Sequence, residues 1–120
     1  MLGEGGFYPA PASFLKAVRE ICDEHGMLMI VDEVQSGFGR TGKMFAIEHS
    51  GVEPDLITMA KSMAAGMPIS AVVGTDVHMD ASGGNSLGGT YTGSPVSCAA
   101  VLAVLEVFEE ENILAKSQAL

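Results

Sequence analysis

Two residues of opposite chemistry stand just past two short apolar runs. Asp32 and Glu33 follow Met27-Leu28-Met29-Ile30-Val31, and Lys61 lies two residues beyond Asp55-Leu56-Ile57-Thr58-Met59. Apolar runs of this length read as buried strands of a parallel sheet, and such sheets bind ligands outside the carboxyl ends of their strands. An acid and an amine would then face one crevice. Burial makes a lysine amine a nucleophile able to form a Schiff base, while a carboxylate beside it needs a cationic partner. Pyridoxal phosphate meets both needs. Its aldehyde takes the lysine and its protonated ring nitrogen pairs with the aspartate, which keeps the ring an electron sink. Spacing alone still favours a plain Asp–Lys salt bridge, or two strand-end residues in water.

Other residues offer weaker chemistry. Gly37-Phe38-Gly39-Arg40-Thr41-Gly42 has the letters of a dinucleotide fingerprint, and Gly37 to Lys43 has those of a P-loop except that Met44 replaces the final serine or threonine. A nucleotide loop runs directly from strand into helix, yet Asp32 to Ser36 intervene here and two of them are acids that repel phosphate. An irregular turn is the better reading. Gly88-Gly89-Thr90 gathers backbone N–H groups and a hydroxyl, the ingredients of an anion nest or of a plain turn. Glu4, between glycines, is either a solvated loop carboxylate or a site residue able to pair with a cation. Arg40 could bind an anion or serve a surface role. His25, His49 and His78 lack the spacing of metal ligands.

The elements that must position these residues alternate between helix and strand. Pro11 opens a helix whose Phe14, Leu15, Val18, Ile21 and Cys22 recur at helical spacing until Gly26 stops it. The first apolar run is expected to be buried on both faces. Phe45 to His49 could form a short helix, and Ser70 to Gly74 reads as a third strand. Ser82 to Gly93 is a polar, glycine-rich loop. From Pro95 to about Phe108 the chain is helical and so broadly apolar that little of it should face water. The pattern predicts an α/β sheet.

Composition narrows the partners. With 48% hydrophobic residues, 120 residues suffice for a core, and fifteen acidic against six basic residues argue against nucleic acid or an anionic membrane surface. No apolar run approaches the roughly 18 residues of a membrane span, so the expected setting is cytoplasmic. Cys22 and Cys98 read as small core hydrophobes. Both ends read as interior sequence, so the expectation is a segment of a longer chain.

The motifs then converge. Ile30-Val31-Asp32-Glu33-Val34-Gln35-Ser36-Gly37-Phe38-Gly39-Arg40-Thr41-Gly42 resembles the cofactor-binding signature of class III pyridoxal-phosphate-dependent aminotransferases, and Thr58-Met59-Ala60-Lys61-Ser62 resembles their lysine segment. Gly3-Glu4-Gly5-Gly6-Phe7-Tyr8, Gly88-Gly89-Thr90-Tyr91 and the Pro95 helix extend the likeness over essentially the whole chain, with motifs most like those of 4-aminobutyrate aminotransferases.

The resemblance implies a fold. Residues 1–120 would be part of the large cofactor-binding domain of a fold-type I enzyme, a mostly parallel sheet with flanking helices, with an N-terminal part and a C-terminal small domain lying outside the segment. It also implies roles. Lys61 would hold pyridoxal 5'-phosphate and move the substrate's proton, Asp32 would pair with the ring nitrogen, and Gln35 would approach the phenolic oxygen. Thr90 would bind the phosphate in the partner subunit's site, which implies a homodimer. Glu4 matches a glutamate that pairs with a C-terminal arginine in 4-aminobutyrate and ornithine aminotransferases; the family usually has glutamine where Leu2 stands.

The expected reaction moves an amino group between an ω-amino acid, 4-aminobutyrate first, and 2-oxoglutarate. Ornithine, acetylornithine, diaminobutyrate and β-alanine remain open as donors. A nucleotide-binding module and a non-catalytic remnant are the alternatives from other classes.

Overall fold

The structure is a computed structural model and describes residues 3–81, 83–84 and 88–120. Leu2 and positions 82 and 85–87 of the polar loop lie outside the described residues.

Helix α1 spans Ala12–His25. Leu15, Val18 and Cys22 fall on one face and pack toward Met29 and Ile47, the start of one of two apolar clusters. Gly26 ends the helix in the left-handed conformation at φ 62°, its N–H turned back to the carbonyls of Asp23 and Cys22. That backbone is cheap only for glycine.

Strand β1 is Ile30–Asp32 and strand β2 is Leu56–Met59. They run parallel, with Ile30 opposite Leu56 and Asp32 opposite Thr58. Met27 to Met29 remain outside the strand. Met29 donates its N–H to Asp55 Oδ2 at 2.6 Å instead of to a neighbouring strand, while its carbonyl takes the N–H of Asp55 at 3.0 Å. Asp55 also meets Arg19 Nη1 at 2.7 Å, so one carboxylate ties α1 to the start of β2. The hydrogen bond from Arg19, with that from the Met29 N–H, holds the Asp55 carboxyl below its ordinary range. The same hydrogen bond raises the Arg19 guanidinium.

Strand β3, Ala71–Gly74, joins β2 antiparallel, giving a three-stranded sheet in the order β1-β2-β3. The α/β expectation holds, but this part of the sheet is mixed rather than mostly parallel. A parallel return needs a crossover of about a dozen residues or more, usually a helix, and residues 60–70 carry only a short 3-10 helix, Lys61–Ala64. Between β1 and β2 lies a second 3-10 helix, Ala46–Ser50, close to where the sequence suggested a short helix. The remaining helices are α2 (Asp76–Asp80), α3 (Pro95–Glu110) and α4 (Ile113–Gln118).

The second cluster gathers Phe38, Met59, Met63 and Ala64 under Ala100, Val101, Val104 and Phe108 of α3. Ser97, buried at the start of α3, donates its hydroxyl to the Pro68 carbonyl at 3.1 Å and anchors the helix to the β2–β3 link.

Three burial expectations fail. Ile30 is 59% exposed, so β1 is not covered on both faces, and Val96 and Leu102 of α3 are 66% and 63% exposed. Cys98 lies on that open side of α3 and is exposed, whereas Cys22 is buried as expected. Helix α3 packs along one stripe against the Lys61–Ala64 turn and α4, which leaves Val96, Cys98 and Leu102 on its open side.

Candidate active site

The carboxyl edge of the sheet carries the residues in question. Asp32 is the last residue of β1, and the parallel register sets it beside Thr58 on β2. Lys61 follows three residues after Thr58, at the start of the 3-10 helix. Neighbouring strands lie about 4.8 Å apart, so both residues occupy one edge of the sheet.

Lys61 is exposed and has φ 50°, a left-handed backbone unusual outside glycine. Ala60 before it is extended, and the Met63 N–H closes the turn on the Ala60 carbonyl at 3.2 Å. Strained residues of this kind gather at functional sites. The lysine lines an open cleft with Arg40, Ser62, Gly66 and Pro68. Arg40 Nε donates to Ser62 Oγ at 3.1 Å, joining the glycine-rich turn to the lysine turn.

Asp32 accepts the Val34 N–H on Oδ1 at 2.9 Å, a local bond that orients its carboxylate. Its other oxygen has no partner among the described residues and is available to a cation. Gln35, one turn residue further on, donates Nε2 to Glu4 Oε1 at 2.9 Å. Two site residues far apart in sequence thus meet. The approach is close, since a Cβ on Gly3 would stand 2.8 Å from Gln35 Oε1.

Not every expected residue converges. Asp32 lines a different cleft from Lys61, between α1 and the Ala46–Ser50 helix, with Pro9, Leu15, Thr41 and His49 on its walls. Thr90 sits exposed on the loop before α3 and lines neither cleft.

The glycine-rich turn is not a nucleotide loop. No helix starts on it, and its carbonyls are engaged by α4: Ser117 Oγ donates to Gly39 at 2.5 Å and Gln118 Nε2 to Gly42 at 2.8 Å. Phe38, at φ 54°, is buried and packs edge-on against Phe45 and Phe108, with ring centroids 6.1 and 6.2 Å away. The turn is therefore pinned from beneath and presents Arg40 toward the lysine.

Sequence reasoning passed over Glu33, treating it only as a charge that repels phosphate. It is 1% exposed. Strand alternation held the clue, because two consecutive acids at a strand end cannot both face the solvent side.

The donor set fits pyridoxal phosphate. An open primary amine, a carboxylate with an unengaged oxygen and an amide stand on one sheet edge, and among the described residues no cluster of metal-ligating side chains competes for that edge. No helix of the described residues is long and apolar enough to cross a membrane.

Comparison with known proteins identifies the family. The family model of class-III aminotransferases matches residues 1–120. The chain is 58% identical over 117 residues to the 5-aminovalerate aminotransferase of Pseudomonas putida, covering 98% of this chain and 28% of that protein. It is 55% identical over 115 residues to the 4-aminobutyrate aminotransferase of Escherichia coli, covering 96% of this chain and 27% of that one. The chain thus spans little more than a quarter of the length of these curated relatives.

Among solved structures, the ornithine aminotransferase of Plasmodium yoelii superposes with a TM-score of 0.88 at 35% identity, covering 95% of this chain and 31% of that one. The taurine:2-oxoglutarate aminotransferase of Bifidobacterium kashiwanohense, solved with pyridoxal phosphate and glutamate, gives 0.87 at 36% identity, covering 96% and 26%. A match of the family model across residues 1–120, relatives above half identity and a structural superposition over 95% of the chain establish that it belongs to the class-III aminotransferases.

Proposed function

We propose that this chain is the lysine-bearing part of a pyridoxal-phosphate enzyme that transfers an amino group from an ω-amino acid, 4-aminobutyrate first, to 2-oxoglutarate. The observation that carries the reading is the shared sheet edge, with Asp32 closing β1 and Lys61 following the parallel β2. Bound there, the cofactor supplies an electron sink that stabilises negative charge at the substrate carbon.

The chain's own residues do the rest. Lys61 offers an exposed amine as the covalent anchor and then the group that takes and returns a proton. Asp32 presents its unengaged oxygen to the ring nitrogen, with Val34 N–H fixing the other oxygen. Gln35 hands one amide hydrogen to Glu4, which leaves the second available to the phenolic oxygen the cofactor would bring. Glu4 faces incoming substrate and pairs with a cation supplied from outside this segment. Thr90, which lines neither cleft, serves the phosphate in a partner subunit of a cytoplasmic homodimer, as the family likeness implies.

The 120 residues act as one portion of a larger cofactor domain and do not catalyse alone. Supporting this, Asp32 and Lys61 open into separate clefts and Ile30, Val72 and Leu102 are left bare. Specificity is read by supplying the holoenzyme with 2-oxoglutarate and each donor in turn. The expected order puts 4-aminobutyrate and 5-aminovalerate above ornithine, acetylornithine, diaminobutyrate and β-alanine. An enzyme that prefers acetylornithine by tenfold in kcat/KM would refute the assignment of substrate.

A further inference from the structure

Glu33 is the largest fully buried side chain among the described residues, and no described cation pairs with it. A carboxylate in that position is costly unless its oxygens are hydrogen-bonded. Both are. Oε2 accepts the Ser36 hydroxyl at 2.5 Å and the Ala46 N–H at 3.1 Å, while Oε1 accepts the Ile47 N–H at 2.8 Å. The backbone of the same residue donates to the Thr58 carbonyl on β2 and accepts the Gly37 N–H, both at 2.9 Å. One residue therefore joins β1, β2, the following turn and the start of the Ala46–Ser50 helix. Gly37 must be glycine for this closure, since a Cβ there would lie 2.9 Å from the Glu33 carbonyl oxygen.

The turn held this way carries the groups that face the cofactor. Val34 N–H orients the Asp32 carboxylate, and Gln35 projects from the turn to meet Glu4. We infer that Glu33 is a positioning residue, whose buried carboxylate sets the turn that aims Asp32 and Gln35 at the cofactor ring. The inference rests on the cofactor reading given above.

Glutamine cannot take its place. Ala46 and Ile47 each need an acceptor on a different oxygen, so an amide in either orientation puts an NH2 against a buried N–H. A purely structural peg would behave differently from a positioning residue, because its loss would lower stability without changing how the ring nitrogen is held.

The test uses the cofactor-loaded protein and follows the visible band of the bound cofactor against pH. In Glu33→Gln the midpoint of that titration is expected to rise by about one pH unit, and the cofactor dissociation constant to rise about tenfold, as the ring nitrogen loses its carboxylate partner. Ser50→Ala is the control. Ser50 is buried in the same 3-10 helix, and its hydrogen bonds run to the Ile47 carbonyl and the Val52 N–H, not to the turn. It should lower Tm and leave the midpoint in place.

A wild-type midpoint in folded Glu33→Gln, or an equal shift in Ser50→Ala, overturns the inference. Should Glu33→Gln not fold, Ser36→Ala decides in its stead, because it removes one donor and spares the two backbone bonds. A smaller shift in the same direction supports positioning, and no shift overturns it. The cofactor reading fails separately, if Lys61→Ala still retains cofactor after borohydride reduction.

Discussion

The two sides of the carboxyl edge are built differently. Around Glu33 every oxygen is used, Ser36 and Ile47 are buried, and the turn is closed against the strands. Around Lys61 the chain is open, with the lysine exposed and Thr90 apart on its own loop. On the proposed reading the difference separates aiming from reacting. Asp32 and Gln35, themselves exposed, hang from a turn whose Glu33 and Ser36 are buried, while Lys61 stands free on a short turn with a left-handed backbone.

The largest break in this comparison comes on the open side. Lys61→Ala should abolish covalent fixation of pyridoxal phosphate by borohydride while changing stability by less than about 0.5 kcal/mol, because an exposed side chain leaves no cavity. Mass spectrometry of the reduced protein and a urea titration check both halves. A loss of stability of several kcal/mol would mean that Lys61 is structural.

On the closed side, Phe38→Ala removes the ring that holds the glycine-rich turn against Phe45 and Phe108. A cost of about 3 kcal/mol is expected, read from the urea midpoint, together with weakened contact of Arg40 with the lysine turn.

Asp55→Asn should cost about 1 kcal/mol by weakening the bonds to Arg19 and the Met29 N–H. Its pH dependence has a definite sign. The folded carboxyl lies below the unfolded value near about 3.9, so its contribution is present above that pH and disappears as pH falls through the folded value. Wild type should therefore lose more stability than Asp55→Asn between neutral pH and about pH 3, as measured by urea unfolding across that range.

Thr90→Ala is the smallest perturbation. It should leave the unfolding midpoint within about 0.5 kcal/mol of wild type, since the residue is exposed, and weaken cofactor binding in the assembled enzyme. Unchanged affinity there would remove Thr90 from the phosphate site.

Much was readable from residue order. The helix between Pro11 and Gly26, the second and third strands and the placing of Asp32 and Lys61 near strand ends followed from apolar spacing and from glycine and proline punctuation, whereas the first strand starts later than its apolar run, at Ile30. The decoy in the glycine cluster was also readable, because too many residues separate it from the strand. Local chemistry and period suffice for such features.

Tertiary structure decided the rest. The antiparallel β3 depended on how little chain links it to β2, and the exposure of Ile30 and Cys98 depended on which faces find a neighbour. Glu33 looked like one acid of a pair, yet its role comes from N–H groups of Ala46 and Ile47 well beyond it in the chain. Glu4 and Gln35 meet only because the fold brings a distant loop to the same turn. Composition and spacing encode what each residue can do; hydrogen bonds between distant segments form only when the chain has closed, and they settle which residues hold still and which remain free to react.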